Sequence, residues 1–366
     1  MALSLGNFVS SNVNILEAPV VFSIGRVALL TEETTAFGSN KFLNFTSAED
    51  VAVTFGINSK TYKSIKAMYN QENGFNITQN YSFVAIPLDT INNFNTALLS
   101  AYEYIDFSIF TTTYDLTAEQ IIEIQDNLPE KEFVFIYSIS DSDDIETLGA
   151  ILDESTINID LTYNEFTGND KLIFNSGFVS KLAGNDTYTI DNTTLHFKSI
   201  KDLSTDEGLQ QIDHLACMNL GINTYGYYKG GFNNNICLAS KYLTPNQKAT
   251  IINIDKTLQN YLLNKMKSST INKDDGDFVE IKNDMSDILK QFRNHKGIGL
   301  AGDNITADKI TIGNSTDGIK ALKEQGFYIY IPSARTITGT TLPITIYIVV
   351  GSIIHKIELN ENIIKQ

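Results

Sequence analysis

At 366 residues the chain is long enough for two or more domains, each with a core of its own. A hydrophobic share of 42% against a charged share of 19% excludes disorder as the general state. With 27 basic against 43 acidic residues the net charge is −16, which opposes binding to nucleic acid or to an anionic membrane surface.

Two cysteines, Cys217 and Cys237, are too few for a disulfide framework or a four-cysteine zinc site, and they read as small apolar core residues. The N-terminal stretch has no basic region followed by a continuous apolar one, so no signal peptide is expected. The most apolar run, Ile344 to Ile354, is near half of the ~20 residues that a membrane-spanning helix needs. Its β-branched residues predict a buried strand instead, in a soluble chain made inside the cell and not inserted in membrane.

In chain order, the first fifteen or so residues show no regular period and predict an extended arm, followed by a short strand at Pro19–Ile24. Thr46-Ser47-Ala48 opens a helix through Val51–Phe55 that Gly56 stops, and Asn58-Ser59 opens a second one carrying Tyr62, Ile65, Ala67, Met68 and Tyr69. Tyr81–Pro87 predicts a strand, Phe94–Tyr104 a helix and Ile105–Phe110 a strand. Thr117-x-x-Gln120 is a capping box for a helix that aligns Ile121, Ile124 and Leu128. Phe133–Ile139 is the next apolar strand, and Asp141–Asp144 place carboxylates at the start of a helix with Ile145, Leu148 and Leu152. Strand and helix alternate from about residue 20 to 190, the pattern of an α/β layer structure.

The second half differs. Leu195–Phe197 predicts a short strand, and Ser204-x-x-Glu207 caps a helix through Leu209, Ile212, Leu215, Ala216 and Leu220 that Gly221 closes. Ile222–Tyr228 is a strand running into Lys229-Gly230-Gly231. Thr244-Pro245-x-Gln247 combines an N-cap, a proline at the first helical position and a capping box. A helix from about Phe278 to Phe292, and another between Thr306 and Gln325 that Gly313 interrupts, precede three closing strands: Phe327–Ile331, Ile344–Val350 and Ile353–Leu359.

No motif carries chemistry. Gly297-Ile-Gly299-Leu-Ala-Gly302 matches G-x-G-x-x-G formally, but it follows a helix where a dinucleotide loop must follow a strand, so it predicts a flexible helix-terminating loop. Asn272 to Asp277 fails as a calcium loop, because Ile271 and Lys273 fall where oxygen ligands belong, and it reads as an acidic turn. His196, His214, His295 and His355 are dispersed, and no phosphate-binding loop or nucleophile elbow occurs. Catalytic, cofactor and metal residues are therefore expected to be none.

Several stretches together resemble a known family. Thr46 to Gly56, then Ser59-Lys-Thr-Tyr62 and Ala67 to Gln71, are similar to a segment of phage contractile-tail sheath proteins, and more narrowly of a sheath-like phage structural family. Leu195 to Ile200, Asn223-Thr-Tyr-Gly-Tyr227, the helix Ile251–Lys265, the Asp274-Asp275-Gly276 turn, Gly326 to Pro332 and Gly351 to Leu359 follow in the family's order. The resemblance covers nearly the full length; the chain departs from the family in having no tryptophan and in carrying Asn272 where a proline is often seen.

The resemblance implies a mixed α/β and α+β, sheath-like two-domain protein: an N-terminal arm (1–18), an α/β peripheral domain (19–190), an α+β sheath core (191–350) and a C-terminal strand or arm (351–366). It implies stacked, hexameric rings around a tail tube, which contract to drive the tube into the host. Expected partners are further copies of the chain, the tail tube protein, and baseplate and tail terminator proteins, with no cofactor and no nucleic acid. The place would be a virion tail assembled in the bacterial cytoplasm. Leu3, Leu5, Phe8, Val9 and Val13 in the arm, and Ile353, Ile354, Ile357 and Leu359 in the last strand, are the candidates for strand exchange between subunits. Pairing of both ends within one subunit is the alternative. Lys229, Lys282, Arg293 and Lys296 are candidates for a tube-facing edge. Another tail or baseplate component, or a carbohydrate-acting enzyme using carboxylates of the acidic background, remain as other readings.

Overall fold

The computed structural model describes residues 12–17, 26–71, 82–129, 132–153, 156–184, 195–203, 209–227, 234–268 and 270–350. Apolar runs such as Val134–Ile139 alternate with amphipathic helices, and the physical solution is a sheet buried on both faces. Eight strands form it: β2 (Arg26–Thr31), β3 (Leu43–Phe45), β4 (Ser82–Pro87), β5 (Ile109–Thr112), β6 (Val134–Ile139), β7 (Ile159–Tyr163), β8 (Asn223–Tyr227) and β9 (Asn234–Cys237). Their order is β3-β4-β2-β5-β6-β7-β8-β9, with β4 through β8 parallel and the edge strands β3 and β9 antiparallel.

Alternation along each strand feeds two cores. On β6, Val134 and Ile136 point into one, while Phe135, Tyr137 and Ile139 point into the other. Helices α1 (Ala48–Phe55), α2 (Lys60–Tyr69), α6 (Gly168–Ala183) and α8 (Pro245–Ser268) cover the first face. Helices α3 (Phe94–Tyr102), α4 (Ala118–Asn127), α5 (Asp144–Gly149) and α7 (Gln211–Leu220) cover the second. The caps read in the sequence form as bonds. Ser47 accepts from the Asp50 amide at 3.1 Å and Ser59 from the Tyr62 amide at 3.0 Å, and Thr117 closes its capping box with Gln120. The Thr244 amide donates to Gln247 Oε1 at 2.6 Å, as the capping box there requires.

A second sheet has three strands in the order β1-β11-β10. Here β1 (Asn12–Glu17) lies parallel to β11 (Thr345–Val350), and β10 (Phe327–Tyr330) lies antiparallel on its other side. Ile346, Ile348 and Val350 of β11 join the core beneath α8 and α9 (Asp275–Asn294). Tyr347 and Val349 pack with Leu322 of α10 (Ser315–Glu324).

Several elements differ from the sequence reading. Residues 105–108 form no strand, because Phe107 packs edge-on to Tyr102 (5.5 Å) and beside Phe133 (5.4 Å) while Asp106 binds Lys256, so β5 starts only at Ile109. Helix α5 stops at Gly149, which presses so closely on Leu220 that a Cβ there would lie 2.7 Å from the Leu220 Cβ; Leu152 is buried beyond the helix end. Leu195–Phe197 is a turn, with Phe197 at φ +60°. Helix α7 begins at Gln211 with no side-chain cap, and the expected cap at Ser204 lies outside the described residues. Gly313, at φ +95°, ends the segment before α10, and Asn314 caps that helix instead of Thr306. Strands β2, β3, β7 and β9 and the helix α6 lie where the sequence reading names no element. The predicted strands Pro19–Ile24 and Ile353–Leu359 lie outside the described residues. The first sheet continues through the boundary drawn at residue 190, since β8 pairs with β7.

Candidate functional site

The three-stranded sheet is the place where the two ends of the described chain meet. Six residues of β1 run beside β11 in register, Asn12 with Thr345 through Glu17 with Val350. On the other side of β11, beyond the start of β10, the Gly297–Gly302 segment continues the pairing. Ile298 bridges Val350, and the Gly299 amide donates to the Val349 carbonyl at 3.0 Å. Gly326 makes this approach possible: at φ +81°, its hypothetical Cβ would stand 1.9 Å from the Gly299 carbonyl oxygen. The formal G-x-G-x-x-G is thus an ordered extension of a sheet, not a flexible loop.

Tyrosine hydroxyls fasten the opposite face. Tyr347 Oη accepts from the Ile312 amide at 2.8 Å, and Tyr328 Oη accepts from the Asn314 amide at 3.2 Å. Among the described residues, β1 and β10 are the edge strands of this sheet, and an edge strand presents a row of backbone donors and acceptors to whatever pairs next. Main-chain addition is the chemistry that this arrangement offers.

Of the strand-exchange candidates, Val13 is on β1, with its Cα aligned to that of Ile346 in the same chain. Leu3, Leu5, Phe8, Val9, Ile353, Ile354, Ile357 and Leu359 lie outside the described residues, as does Lys229. Lys282 is exposed on α9, and Arg293 is half-buried in its last turn, eleven residues on. That spacing returns to the same side of a helix about 16 Å further along. Lys296 follows, exposed, at φ +64°.

The crevice at the carboxyl ends of parallel strands is where such sheets ordinarily take ligands. Here the strand order reverses between β2 and β5, and the chain's own Glu33 fills the position. Its carboxylate accepts from the amides of Lys60 and Thr61, both at 2.9 Å, and from the Thr61 hydroxyl at 2.5 Å. Those amides are the open N-terminus of α2, the place where an anion would bind. Beside it, Lys171 pairs with Asp115 at 2.6 Å and sits over the Tyr137 ring.

The remaining polar candidates are structural. His196 Nδ1 accepts from the Leu238 amide at 3.0 Å, and His214 Nδ1 shares a 2.9 Å bond with Thr224 Oγ1. Burial holds His214 below the usual imidazole range and pushes the Cys217 thiol up to about 12. Among the described residues no group of three His, Cys, Asp or Glu side chains is placed to hold a metal ion. The acidic turn before α9 is a helix cap: Asp274 accepts from Gly276 and Asp277, and Asp275 accepts from the Ala334 amide at 2.8 Å.

One cluster went unread in the sequence. Lys248 of α8 and Asp160 of β7 form a 2.9 Å ion pair with side chains only 4% and 3% exposed. Asn223 of β8 donates to the other Asp160 oxygen at 2.7 Å. Burial raises the Asp160 pKa, and Lys248 and Asn223 pull it back down. Asp160 stands in the alternating Ile-Asp-Leu-Thr-Tyr, which suggests a strand with one wet face. Only the tertiary position of α8 shows that face to be covered.

No family model and no curated protein matches the chain. Solved structures do. A chain of the PVC sheath complex of an extracellular contractile injection system, in its contracted state, superposes with a TM-score of 0.61 at 11% identity, over 97% of this chain and 96% of that one. A chain of the six-fold symmetrised anti-feeding prophage baseplate gives 0.63 at 9% identity, over 95% and 96%. Another, from the same baseplate in its contracted state, gives 0.57 at 9%, over 96% and 95%. In its described residues this chain has the sheath-like fold found in contractile injection systems.

Proposed function

We propose that the chain is a structural subunit of a contractile tail sheath, assembling with copies of itself into stacked, hexameric rings around a tail tube. The observation that carries the reading is the match over nearly the whole of both chains to a sheath complex. In this reading the three-stranded sheet, with α8–α10, is the assembly layer, and the eight-stranded sheet is the peripheral body. The arm residues Leu3, Leu5, Phe8 and Val9 and the strand residues Ile353, Ile354, Ile357 and Leu359 add to the sheets of neighbouring subunits, whereas Val13 pairs within its own chain. The tube, baseplate and terminator proteins are the other partners, and Lys229, Lys282, Arg293 and Lys296 face the tube. The work is mechanical, without cofactor or nucleic acid. The particle is assembled in the host cytoplasm and acts as a tail.

Negative-stain electron microscopy of the concentrated protein tests this. Tubes or regularly stacked rings are expected, and removal of residues 1–11, which leaves β1 in place, should abolish them while circular dichroism stays unchanged. Tubes formed by the truncated protein would refute the role of the arm. A baseplate component is the second reading, favoured by two of the structural matches coming from baseplate assemblies. Copy number per particle separates the two: many copies along the tail for a sheath, one ring's worth for a baseplate protein.

A further inference from the structure

Helix α8 joins the two sheets, and the way it is attached is unusual for a core helix. Its first half lies across the large sheet. Lys248 reaches Asp160 and the Ile159 carbonyl (2.6 Å) at the start of β7. Eight residues on, Lys256 reaches Asp106 Oδ1 (2.8 Å), the Phe107 carbonyl (3.1 Å) and Ser108 Oγ (2.8 Å) just before β5. Eight residues of helix rise about 12 Å, and β5 and β7 are two strand spacings, about 10 Å, apart. The helix therefore bridges β6 and is pinned on either side of it. Its second half holds α9, through Tyr261 Oη to Asp284 (2.6 Å) and Lys265 to Glu280 (2.5 Å), and α9 packs in the same core as β10 and β11.

The two pins are not equivalent. Lys256 pairs with a carboxylate whose side chain is 67% exposed. Lys248, Asp160 and Asn223 are all buried, and Asn223 Oδ1 also accepts from the Ala239 amide at 3.0 Å, tying the chain beyond β9 into the same cluster. Desolvating both members of such a pair costs about as much as their attraction returns, so its net contribution to stability is small or negative. What it does supply is direction: the charges are satisfied at one position of α8 and stranded at any other. We propose that the Lys248–Asp160–Asn223 cluster is a positioning lock that sets α8, and with it the three-stranded sheet, at one placement against the large sheet. Aliphatic packing alone tolerates small slips, whereas a stranded buried charge does not. A repeating assembly needs that single placement in every copy.

The test uses the full chain with spin labels at two exposed positions, Glu123→Cys on α4 and Lys320→Cys on α10, read by pulsed electron resonance. The Lys248→Met/Asp160→Leu double variant is expected to keep a Tm at or above that of the parent while its label-to-label distance distribution broadens or shifts. Lys248→Met alone should lower Tm more than the double variant, because it leaves Asp160 buried without its partner. An unchanged, equally narrow distribution in a folded double variant overturns the proposal, since packing alone would then fix the placement. If the double variant does not fold, Asp160→Asn, which keeps the shape, is measured in its place with the same two outcomes. Failure of both to fold makes the cluster a source of stability, not of placement, and overturns the proposal as well.

Discussion

The two sheets solve the same problem, burying apolar β-branched strands, in opposite ways. The eight-stranded sheet leaves little of itself open to further pairing. Helices cover both faces, and its edges are guarded: β3 is three residues long, and the outer side of β9 is bonded at Ile236 by the backbone of Phe197 and Lys198 (2.7 and 2.9 Å). Short or covered edges are how natural sheets avoid further pairing. Among the described residues the three-stranded sheet instead ends in β1 and β10, and it lies where both ends of the described chain arrive. Charge divides along the chain and not sheet by sheet. Residues 1–190 hold 25 acidic and 8 basic side chains, whereas 191–366 hold 18 and 19. The stretch 88–158, which builds α3, α4 and α5, carries 15 acidic residues and a single lysine. Two copies meeting through those helices would face like charge at every contact, so the near-neutral half is the one able to approach another copy. A large sheet with guarded edges, a small sheet whose described edges are bare and an acidic first half fit the assembling subunit proposed above.

The comparison breaks most sharply at Gly326. Alanine there combines a left-handed backbone with a clash against the Gly299 carbonyl, a loss of about 3 kcal/mol. Hydrogen exchange checks whether the loss is local. Amides of β11 and β10 should lose protection while those of β6 and β7 keep theirs. Equal loss in both sheets would mean that they open as one unit. Glu33→Ala acts on the other sheet and less strongly. It removes a carboxylate from two amides and a hydroxyl at the start of α2, costing about 2 kcal/mol in urea denaturation, with increased exchange confined to the first turn of α2. A change in the exchange of β11 would show the sheets to be coupled through α2, against the division drawn here.

How far the sequence showed this division depends on the range of the interactions. Local signals were legible: the caps at Ser47, Ser59, Thr117 and Thr244, the stop at Gly221 and the apolar strands β4, β6 and β11 follow from a few neighbouring residues each. Long-range burial was not. Helix α6 is buried nearly all round although it carries Lys171, Asn175, Ser176, Ser180 and Lys181, so it has no apolar stripe to betray its face. Asp160, Asn223 and Lys248 are polar residues 25 to 88 positions apart whose partnership only the fold creates. Phe107 falls in the run read as the strand Ile105–Phe110, but its ring belongs to a cluster with Tyr102 and Phe133, and the strand begins only at Ile109. The glycines at 297–302 matched a motif by letter, and only the pairing of Gly299 with Val349 shows their use.

The smallest effect sharpens the comparison without perturbing it. Cys217, fully buried on α7 against the large sheet, has its thiol raised from 9.0 to about 12, first by desolvation and then by the nearby Asp213 carboxylate. A thiol whose pKa is higher folded than unfolded keeps its proton in the native state after the unfolded chain has lost it. Its contribution to stability is therefore complete below pH about 9 and declines as the pH rises towards 12. At pH 8 the thiolate fraction is negligible and the sulfur is covered, so a disulfide reagent should react with Cys217 only when the large sheet opens. Its labelling rate then measures that opening directly. In the Gly326→Ala variant the rate should stay at the wild-type value if the small sheet opens alone, and rise with the loss of stability if both sheets open together.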